Sequence, residues 1–369
     1  MEILQIAGRY PPYLGGEEAV VETLATRQAG DHAVTVYTST LGAAGVPRRE
    51  APRPGLRVVR LRALRIANTP VMPGLLVRLL RHAPRPDLLH VHTGVAFVPE
   101  VVAIAARLRG LRYVAHQHLM VRPSSRAGTV LLPLYHRLLY GPFLRRADRV
   151  VCLTAAMRTE LVAAYDLDPA RVVVIGNGVD TDRFRPGPEP RRPAELLFVG
   201  RLSAQKNVDA LLEAAALLRA RGRRFGVRIV GDGEEAARLE RKAARLGLDE
   251  VVFDGRRGPG EVAGNYARAT AVVMPSTHEG MPLVLLEAMA SGAPVVTSGL
   301  PELAEVGADA VLAVDPLTAV TLADALDRVL RDPALRDRLS ARAVVRARAY
   351  AWWTVVERID KLYAEVLAS

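Results

Sequence analysis

The sequence predicts an α/β protein built from two doubly wound parallel sheets, and three features support this class. With 369 residues, 50% of them hydrophobic, the chain is long enough for about two domains with packed cores. Short apolar runs alternate with amphipathic segments along its length, the order expected when helices cover both faces of a parallel sheet. Most of these runs are apolar throughout, as strands buried on both faces are.

Thirteen apolar runs are predicted as strands, which is more than one ordinary sheet holds. In chain order they lie at 2–7, 33–38, 56–61, 88–91, 112–115, 149–153, 171–175, 195–199, 226–230, 250–253, 271–274, 294–297 and 310–314. Helices are predicted between them at 16–29, 97–109, 129–145, 155–164, 207–221, 234–246, 260–268, 282–290, 318–331 and 333–349, with a last helix at 355–367.

The alternation stops once, in a stretch rich in proline and arginine. Residues 183–193 contain four prolines and a glycine, which permit neither a helix nor a central strand. We therefore predict an N-terminal Rossmann-like domain at 1–183, a linker at 184–193 and a C-terminal Rossmann-like domain at 194–345. Since ligands bind beyond the carboxyl ends of the strands in such sheets, two facing domains would form one cleft.

Composition excludes several classes of protein. Cys152 is the only cysteine, so an intramolecular disulfide and a cysteine-rich zinc site are impossible, and its apolar neighbours indicate a core residue. The first residues lack the basic and then apolar pattern of a signal peptide, and no apolar run reaches the roughly 18 residues that span a bilayer. We expect a soluble, cytoplasmic protein.

The segment 275–294 carries the most specific chemistry. After a predicted strand, a loop holds Glu279 and a helix follows, with Pro282 suited to its first turn. Free N–H groups at residues 280–283 would bind an anion such as a phosphate. Glu287, among apolar residues of that helix, needs hydrogen-bond donors, and ribose hydroxyls are suitable. A capping role for the first glutamate and a solvated position for the second would explain each alone, but not the pair in this setting.

This segment resembles the Glu-x7-Glu signature of the retaining glycosyltransferases of family 4, in the GT-B superfamily. Further motifs resemble those of the family, keep its order and extend over roughly residues 1–330. They are the glycine-rich loop at 10–16, strand ends at 90–92 and 113–116, an Asn-Gly-Val-Asp turn at 177–180, the Gly-Arg and Lys-Asn pairs within 200–207, and a strand end at 230–233.

The resemblance implies transfer of a hexosyl group from a UDP- or GDP-sugar to a hydroxyl acceptor, such as a lipid or glycan precursor, with retention of configuration. It implies that Glu279 contacts the donor sugar, that Glu287 binds the ribose hydroxyls, and that His116 faces the sugar from the opposite domain. The last segment, 346–369, would cross back to the N-terminal domain.

Two cations complete the implied site. Arg201 and Lys206 sit at and just after a strand end, where they could bind the phosphates and stabilise the charge that develops on the leaving group. The catalytic set is therefore His116, Arg201, Lys206 and Glu279. The other donor-binding residues are Gly15, Gly16, Gly231, Arg256, Gly280, Met281, Pro282, Leu283 and Glu287, with Arg256 in the loop expected at the base.

No metal or other cofactor is expected, because arginine, lysine and helix dipoles would supply the positive charge that the phosphates need. The histidines at 90, 92, 116 and 118 could form a zinc site, but His-x-His at strand ends is more simply explained by residues lining the first domain's cleft. We expect front-face attack, in which the leaving phosphate takes the acceptor's proton. A covalent glycosyl–Glu279 intermediate is the less favoured alternative.

The positive charge is unevenly distributed. Of the formal net charge of +11, residues 1–184 contribute +10 and residues 185–369 contribute +1. Ten arginines lie within residues 45–85 against one acid, and residues 71–82 add an apolar face with basic neighbours. We expect peripheral contact with an anionic membrane at its inner face, or with a charged saccharide acceptor. An ordinary solvated arginine-rich face is an equal alternative.

Other functions stay open at this stage. A GT-B relative acting as a nucleotide-sugar epimerase or hydrolase would release altered sugar or free nucleotide without an acceptor. A non-catalytic module binding a saccharide or an anionic polymer is the third class, although the intact glutamate and cation pairs oppose it. Nucleic acid is not expected as a partner, because no recognition motif accompanies the charge.

Overall fold

Both sheets expected from the sequence are present, one in each of two structural units. The computed structural model describes residues 1–13, 15–66, 69–119, 132–188 and 191–369. The first unit comprises Met1–Gly176 and Val355–Ser369, and the second comprises Asn177–Thr354. The chain therefore returns to the first unit at its C-terminal end.

The first unit is built on an eight-stranded sheet. Its chain order of strands is β1 (Glu2–Ile6), β2 (Ala33–Ser39), β3 (Arg49–Arg53), β4 (Leu56–Leu61), a separate hairpin of β5 (Leu64–Ile66) and β6 (Thr69–Val71), then β7 (Leu88–His92), β8 (Arg112–Gln117), β9 (Arg149–Cys152) and β10 (Val172–Val174). In space the order is β10-β9-β8-β7-β1-β2-β4-β3, and every pair is parallel except β3 with β4.

The helices of the first unit lie mostly where the apolar periodicity predicts them. They are α1 (Gly16–Gln28), α2 (Leu75–Leu80), α3 (Val98–Arg109), a π-helical turn (His136–Tyr140), α4 (Gly141–Arg146), α5 (Ala155–Tyr165) and a 3₁₀ turn (Pro169–Arg171). The helix predicted at 129–145 is not one continuous α-helix over its described residues. Residues 129–131 lie outside the described part of the chain, and the remainder is α-helical at 132–135, π-helical at 136–140 and α-helical again from Gly141.

The second unit has a six-stranded, fully parallel sheet. Its strands are β11 (Glu195–Val199), β12 (Gly226–Val230), β13 (Val251–Gly255), β14 (Ala271–Met274), β15 (Val295–Ser298) and β16 (Val311–Val314), in the spatial order β13-β12-β11-β14-β15-β16. This is the arrangement of a dinucleotide-binding sheet, with the first strand central and the winding reversed beside it.

Seven α-helices lie within this unit, among the residues that the structure describes. They are α6 (Val208–Ala220), α7 (Ala236–Arg245), α8 (Pro259–Arg268), α9 (Leu283–Ala290), α10 (Pro301–Gly307), α11 (Ala319–Arg331) and α12 (Pro333–Ala347), with 3₁₀ turns at Ala204–Lys206, Ala308–Ala310 and Arg348–Tyr350. A further helix, α13 (Trp352–Ala368), begins in the second unit and packs on the first from Val355 onward.

The boundary between the units lies between Gly176 and Asn177, before the stretch chosen as a linker from its prolines. Residues 189–190 of that stretch lie outside the described residues. Arg191 on its far side is tied to the second unit, since its Nη2 donates to the Gly292 carbonyl at 3.0 Å and to Ser340 Oγ at 2.8 Å. These hydrogen bonds attach the proline-rich segment to the surface of one unit.

Composition missed three of the described strands, β3, β5 and β6, and β3 is an edge strand. Strand β3 contains a proline and three charged residues, and most of its side chains are exposed. It pairs on one side only, antiparallel to β4. Charge and proline are common at sheet edges because they discourage further pairing, so the apolar pattern used to find central strands is absent here. Over the described residues, no helix combines the length and apolarity needed to span a bilayer.

Candidate functional site

The winding of the second unit's sheet reverses between β11 and β14. These neighbouring strands pair at Leu196 with Ala271, and the segments after them leave the same edge of the sheet. Ligands of open α/β sheets bind beyond the carboxyl ends of the strands at such a reversal. The segment after β11 carries Arg201 and Lys206, and the segment after β14 carries Glu279. Topology therefore brings the predicted cations and the first predicted glutamate to one edge.

Lys206 and Glu279 form an ion pair at this edge. The Nζ to Oε1 distance is 2.6 Å, the glutamate side chain is 6% exposed and the lysine side chain 19%. The two loops are also joined through their backbones, because the Thr277 N–H donates to the Gln205 carbonyl at 2.9 Å. A carboxylate this buried needs its cation, so the pair holds both side chains in defined positions.

A close approach of two backbones shapes the same edge at Gly231. This glycine has φ of +142°, and a Cβ atom there would lie 1.8 Å from the Gly200 carbonyl oxygen. The Gly200 N–H donates to the Val230 carbonyl at 3.0 Å, so the strand ends of β11 and β12 stay paired past their last residues. Only glycine fits at position 231, which gives that residue a structural role in the predicted donor-binding set.

The two predicted arginines are more exposed than the lysine. Arg201 Nε donates to Glu234 Oε2 at 3.0 Å, and Arg256 lies 3.6 Å from Asp232, with all four side chains at least half exposed. Exposed ion pairs of this kind contribute little to stability. Both guanidinium groups can therefore exchange their carboxylate partners for another anion at small cost.

Glu287 is the second predicted glutamate, and its environment is apolar. It lies in the middle of α9, and its Oε2 accepts a hydrogen bond from the Tyr266 hydroxyl of α8 at 3.1 Å. Burial raises the pKa of Glu287 to about 7, opposed by that hydrogen bond and by the charge of Arg183. A carboxyl group that titrates near neutrality at the end of a sheet is typical of a functional position.

The loop before α9 is held by Asn177. The helix starts at Leu283, so Pro282 precedes it and, having no N–H, contributes no donor to the predicted anion site. Asn177 Nδ2 donates to the Met281 carbonyl at 2.8 Å, and the Asn177 N–H lies 3.2 Å from the Met281 sulfur. The first residue of the Asn-Gly-Val-Asp turn thus positions the loop that offers the N–H groups.

In the first unit, the glycine-rich loop leads directly into α1. Gly16 is the first residue of that helix and Gly15, before it, has extended backbone geometry, so neither position demands glycine for its φ. Burial raises the pKa of Glu17 to about 8 and also raises the pKa of Glu18. Two carboxyl groups with raised pKa values at the start of α1 were not found from the sequence, where acidic residues in a first helical turn are ordinary caps.

Four buried histidines lie at the carboxyl ends of β7 and β8. In pairs, His90 Nε2 lies 3.0 Å from His116 Nδ1, and His92 Nδ1 lies 2.9 Å from His118 Nε2. Burial lowers the pKa of all four, to about 3 for His90 and His118 and well below the ordinary value for the other two. The rings are therefore neutral at neutral pH, and each carries a single ring proton.

Three histidines of the cluster lie close enough together to hold a metal ion. Ring nitrogens of His90, His92 and His116 lie within 4.8 Å of one another. The pairing described above uses three of these ring nitrogens, His90 Nε2, His116 Nδ1 and His92 Nδ1, the last of them with His118 Nε2. His116 Nε2 is different, because it is buried and has no hydrogen-bond partner among the residues that the structure describes.

Two Asp-x-Asp sequences, at 166–168 and 180–182, could suggest metal-dependent chemistry. Asp168 accepts a hydrogen bond from the Ala170 N–H at 2.9 Å, and Asp180 Oδ1 accepts from the N–H groups of Asp182 and Arg183 at 3.2 and 3.1 Å. Asp168 and Asp180 therefore each cap a turn, a role that aspartate commonly has.

Four residues contact the predicted site residues through partners that the sequence pattern did not assign. Tyr266, Asn177 and Glu234 contact predicted site residues from 21, 104 and 33 positions away, respectively, and Tyr363 contacts His90 from 273 positions away. Asn177 lay within a recognised motif but had no assigned contact. Such partners follow only from the folded arrangement.

Two family models match consecutive parts of the chain. The model described as Glycosyltransferase Family 4 matches residues 14–183, and that described as Glycosyl transferases group 1 matches residues 179–346. Together they cover most of both structural units.

Two similar curated proteins carry the same name. The D-inositol 3-phosphate glycosyltransferase of Frankia alni is 35% identical over 306 residues, which are 76% of this chain and 75% of the relative. The protein of the same name from Acidothermus cellulolyticus is 33% identical over 307 residues, covering 76% and 68%.

Solved structures resemble the fold over nearly the whole chain. Sucrose-phosphate synthase from Thermosynechococcus elongatus gives a TM-score of 0.81 at 23% identity, covering 100% of this chain and 99% of that one. Anabaena HepE, in complex with UDP-glucose, gives 0.78 at 20% identity, covering 99% and 100%. At such identities the likeness concerns the fold.

Proposed function

This chain belongs to glycosyltransferase family 4, is a glycosyltransferase with the GT-B fold, and, we propose, transfers a hexosyl group from a nucleoside-diphosphate sugar to a hydroxyl acceptor with retention and without a metal ion. The observation that carries the proposal is the ion pair of Lys206 with Glu279 at the sheet's point of reversal. It puts a cation and a carboxylate where an open α/β sheet binds a nucleotide.

The nucleotide would be held by charge and by one buried carboxylate. Lys206 and Arg201 bind the pyrophosphate, with the N–H groups of Gly280, Met281 and Leu283 as further donors. Glu287 accepts hydrogen bonds from the ribose hydroxyls, which replace water as its partners. Its raised pKa supports this role, because ionisation of the buried carboxyl becomes favourable once two hydroxyl donors reach it.

Fixed positive charge would provide most of the catalysis. As the glycosidic bond breaks, negative charge grows on the leaving phosphate, and Lys206 and Arg201 stabilise it more in the transition state than in the bound donor. With two cations and helix N–H groups at the phosphates, no metal ion is needed for charge neutralisation.

Glu279 would position the sugar and not attack it. Its Oε1 is held by Lys206 at 2.6 Å, so attack through that oxygen would have to break a buried ion pair. We therefore favour front-face attack, in which the acceptor oxygen bonds to the anomeric carbon, the bond to the phosphate breaks, and the phosphate oxygen takes the acceptor's proton. His116 is proposed to contact the sugar.

The first experiment is a thermal-shift screen of UDP- and GDP-sugars with the full chain. A ligand at 100 times its Kd stabilises the folded state by about 2.7 kcal/mol, so the correct base and sugar should stand out. The hit is then assayed with and without EDTA, with D-inositol 3-phosphate as the first acceptor because the relatives are named for it. If configuration is retained, the new glycosidic bond has the same anomeric configuration, axial or equatorial, as the bond in the donor, and NMR of the product measures it.

Distinct outcomes separate the alternatives. Loss of activity in EDTA, restored by a divalent cation, would contradict metal independence. Release of free sugar or an altered nucleotide sugar without acceptor would favour a hydrolase or an epimerase. A glycosylated Glu279 peptide in mass spectra would replace front-face attack by double displacement.

We also propose that the first unit contacts an anionic membrane surface. Exposed apolar side chains lie among the arginines of this unit: Leu64 and Ile66 in the β5–β6 hairpin, and Val77 and Leu80 on α2, are 37–62% exposed. The basic set is one smaller than counted from the sequence. Arg60 is buried and paired with Glu50 at 2.6 Å, so it does not belong to the surface.

Vesicle sedimentation tests this contact. The protein should pellet with vesicles containing phosphatidylserine at low salt and not with neutral vesicles, because arginines are attracted to anionic headgroups. Val77→Glu with Leu80→Glu should reduce pelleting severalfold, whereas Val345→Glu, at a still more exposed site in the second unit, should not. Equal pelleting with both vesicle types would contradict the proposal.

A further inference from the structure

Helix α13 reaches the histidine cluster of the first unit through two side chains. Tyr363 is fully buried and its hydroxyl contacts His90 Nδ1. Asp360, one turn earlier, accepts a hydrogen bond from Gln28 Nε2 at 2.6 Å. Each contact begins a chain of hydrogen bonds that ends in one of the two histidine pairs.

The first chain has a direction. Burial raises the pKa of Tyr363, so its hydroxyl keeps its proton and needs an acceptor. Gln28, the hydroxyl's other neighbour, turns its amide N–H groups that way, because Asp360 accepts from the same nitrogen. The acceptor is therefore His90 Nδ1, and the single proton of His90 lies on Nε2.

The proton position on His90 determines that on its partner. His90 Nε2 lies 3.0 Å from His116 Nδ1, so the N–H of His90 donates and His116 Nδ1 accepts. His116 is neutral, because burial lowers its pKa, and its one proton must then be on Nε2. That nitrogen is buried and, within the described part of the chain, lacks a hydrogen-bond partner.

The second chain runs the same way through the other pair. Because Gln28 Nε2 faces Asp360, its Oε1 accepts from Gln5 Nε2 at 2.9 Å, and Gln5 Oε1 is then turned toward His92 Nε2 at 3.4 Å. His92 is protonated at Nε2, and its Nδ1 accepts from His118 Nε2.

We propose that Tyr363 is a positioning residue that holds His116 in the tautomer protonated at Nε2. His116 then presents a hydrogen-bond donor to an oxygen of the bound sugar and cannot act as a base through that atom. The tautomer follows from the contacts of the first unit alone, and only its use on a sugar rests on the function proposed above. The segment that closes the chain thereby sets the chemistry of a residue more than two hundred positions earlier.

The test is the protonation state of the ring nitrogens, measured by two-bond ¹H–¹⁵N correlation spectra of full-length protein labelled with ¹⁵N-histidine. Signals are assigned by His116→Gln and His90→Gln. In the unaltered protein, His116 should show a protonated Nε2 and an unprotonated Nδ1 at neutral pH. Tyr363→Phe, which removes only the hydroxyl, should shift the tautomer ratio of His116 toward Nδ1 by about fivefold, as expected for one lost neutral hydrogen bond.

Two further variants make the result specific. Tyr113→Phe removes another buried hydroxyl of the same unit, which donates to the Phe143 carbonyl, and should leave every histidine tautomer unchanged. Asp360→Asn no longer fixes the orientation of the Gln28 amide, which directs both chains, and should therefore disturb the tautomers of both histidine pairs, whereas Tyr363→Phe should disturb only the pair of His90 with His116. If Tyr363→Phe fails to fold, the spectrum of the unaltered protein still decides, because a proton on His116 Nδ1 would overturn the proposal. An unchanged His116 signal in folded Tyr363→Phe would overturn it too.

A kinetic split separates positioning from general damage. Once a donor and an acceptor are known, Tyr363→Phe should lower kcat by about twofold to tenfold and leave the Kd of the nucleoside diphosphate unchanged. Tyr113→Phe should change neither. If the tautomer shifts as expected and kcat does not, His116 has the predicted tautomer but no part in the reaction, and the failure lies with the proposed function.

Discussion

Replacing Glu287 by glutamine tests the proposed nucleotide site through stability and binding at once. The amide keeps the size of the side chain, and its oxygen can still accept the Tyr266 hydroxyl, which lies 3.1 Å from the carboxylate. What it removes is the charge. The variant therefore separates the cost of a buried negative charge from the loss of packing.

The stability change follows from the raised pKa. The folded protein holds a proton on Glu287 up to about pH 7, whereas the unfolded chain releases it near 4.5. The folded state thus binds more protons between these values, and stability from this group is fully present below about pH 4.5 and is lost as the pH rises through about 7. The difference corresponds to about 3 kcal/mol at most.

Glu287→Gln escapes this cost but makes a weaker hydrogen bond with Tyr266. We expect the variant to be more stable than the unaltered protein by about 2 kcal/mol at pH 8, and by much less at about pH 5.5, where the carboxyl is mostly protonated. Urea denaturation at both pH values measures the difference. Glu240→Gln, which alters an exposed glutamate of the same unit on α7, is the control and should change stability by less than about 0.5 kcal/mol.

Binding should change in the opposite direction. The ionised carboxylate is the stronger acceptor for ribose hydroxyls, so the affinity of the correct nucleoside diphosphate should rise with pH through about 7 and fall roughly 10–100-fold in Glu287→Gln. Calorimetric titration at pH 8 measures it. Unchanged affinity would refute the ribose assignment, and a variant less stable than the unaltered protein at pH 8 would refute the argument from burial of charge.

The ion pair and the glycine contact give two further predictions. Lys206→Met should lower the free energy of unfolding by about 2–3 kcal/mol, because Glu279 stays buried without its cation, and should lower kcat/KM at least 100-fold. Adding Glu279→Gln to this variant should recover most of the stability and none of the activity. If urea denaturation shows no such recovery, the explanation by an unpaired buried charge is contradicted. Gly231→Ala should lose about 2 kcal/mol or more, since its Cβ would meet the Gly200 carbonyl, whereas Gly264→Ala, in open space on α8, should gain about 0.5–1 kcal/mol by thermal denaturation.

The fold was predictable because buried parallel strands carry a local signal. All thirteen apolar runs correspond to observed strands, and β4, β11, β12 and β14 match their predicted limits. The strands that were missed, such as β3, lie where one side of the chain has no partner and polar residues are tolerated. The apolar pattern reports burial on two faces, so edges escape it.

The residues of the candidate site were predictable from the sequence, but the contacts that they make were not. Its residues lie at strand ends that the sequence marks with glycine and charge, and the order of the strands in the sheet brings Lys206 and Glu279 within 2.6 Å. The exposed pairing of Arg201 and the absence of an N–H at Pro282 limit what each can contribute. A sequence motif identifies a site residue but not the residue that it contacts in the folded protein.

By itself, the sequence determined the alternation of strands and helices, the resemblance to family 4 and the uneven charge, because each depends on residue type and spacing along the chain. Only the tertiary structure decided the pKa of Glu287, the burial of Arg60 and the direction of the hydrogen bonds from Tyr363 to His116. These properties depend on desolvation and on contacts between residues far apart in sequence. Burial and partners are set by packing, and no local pattern records them.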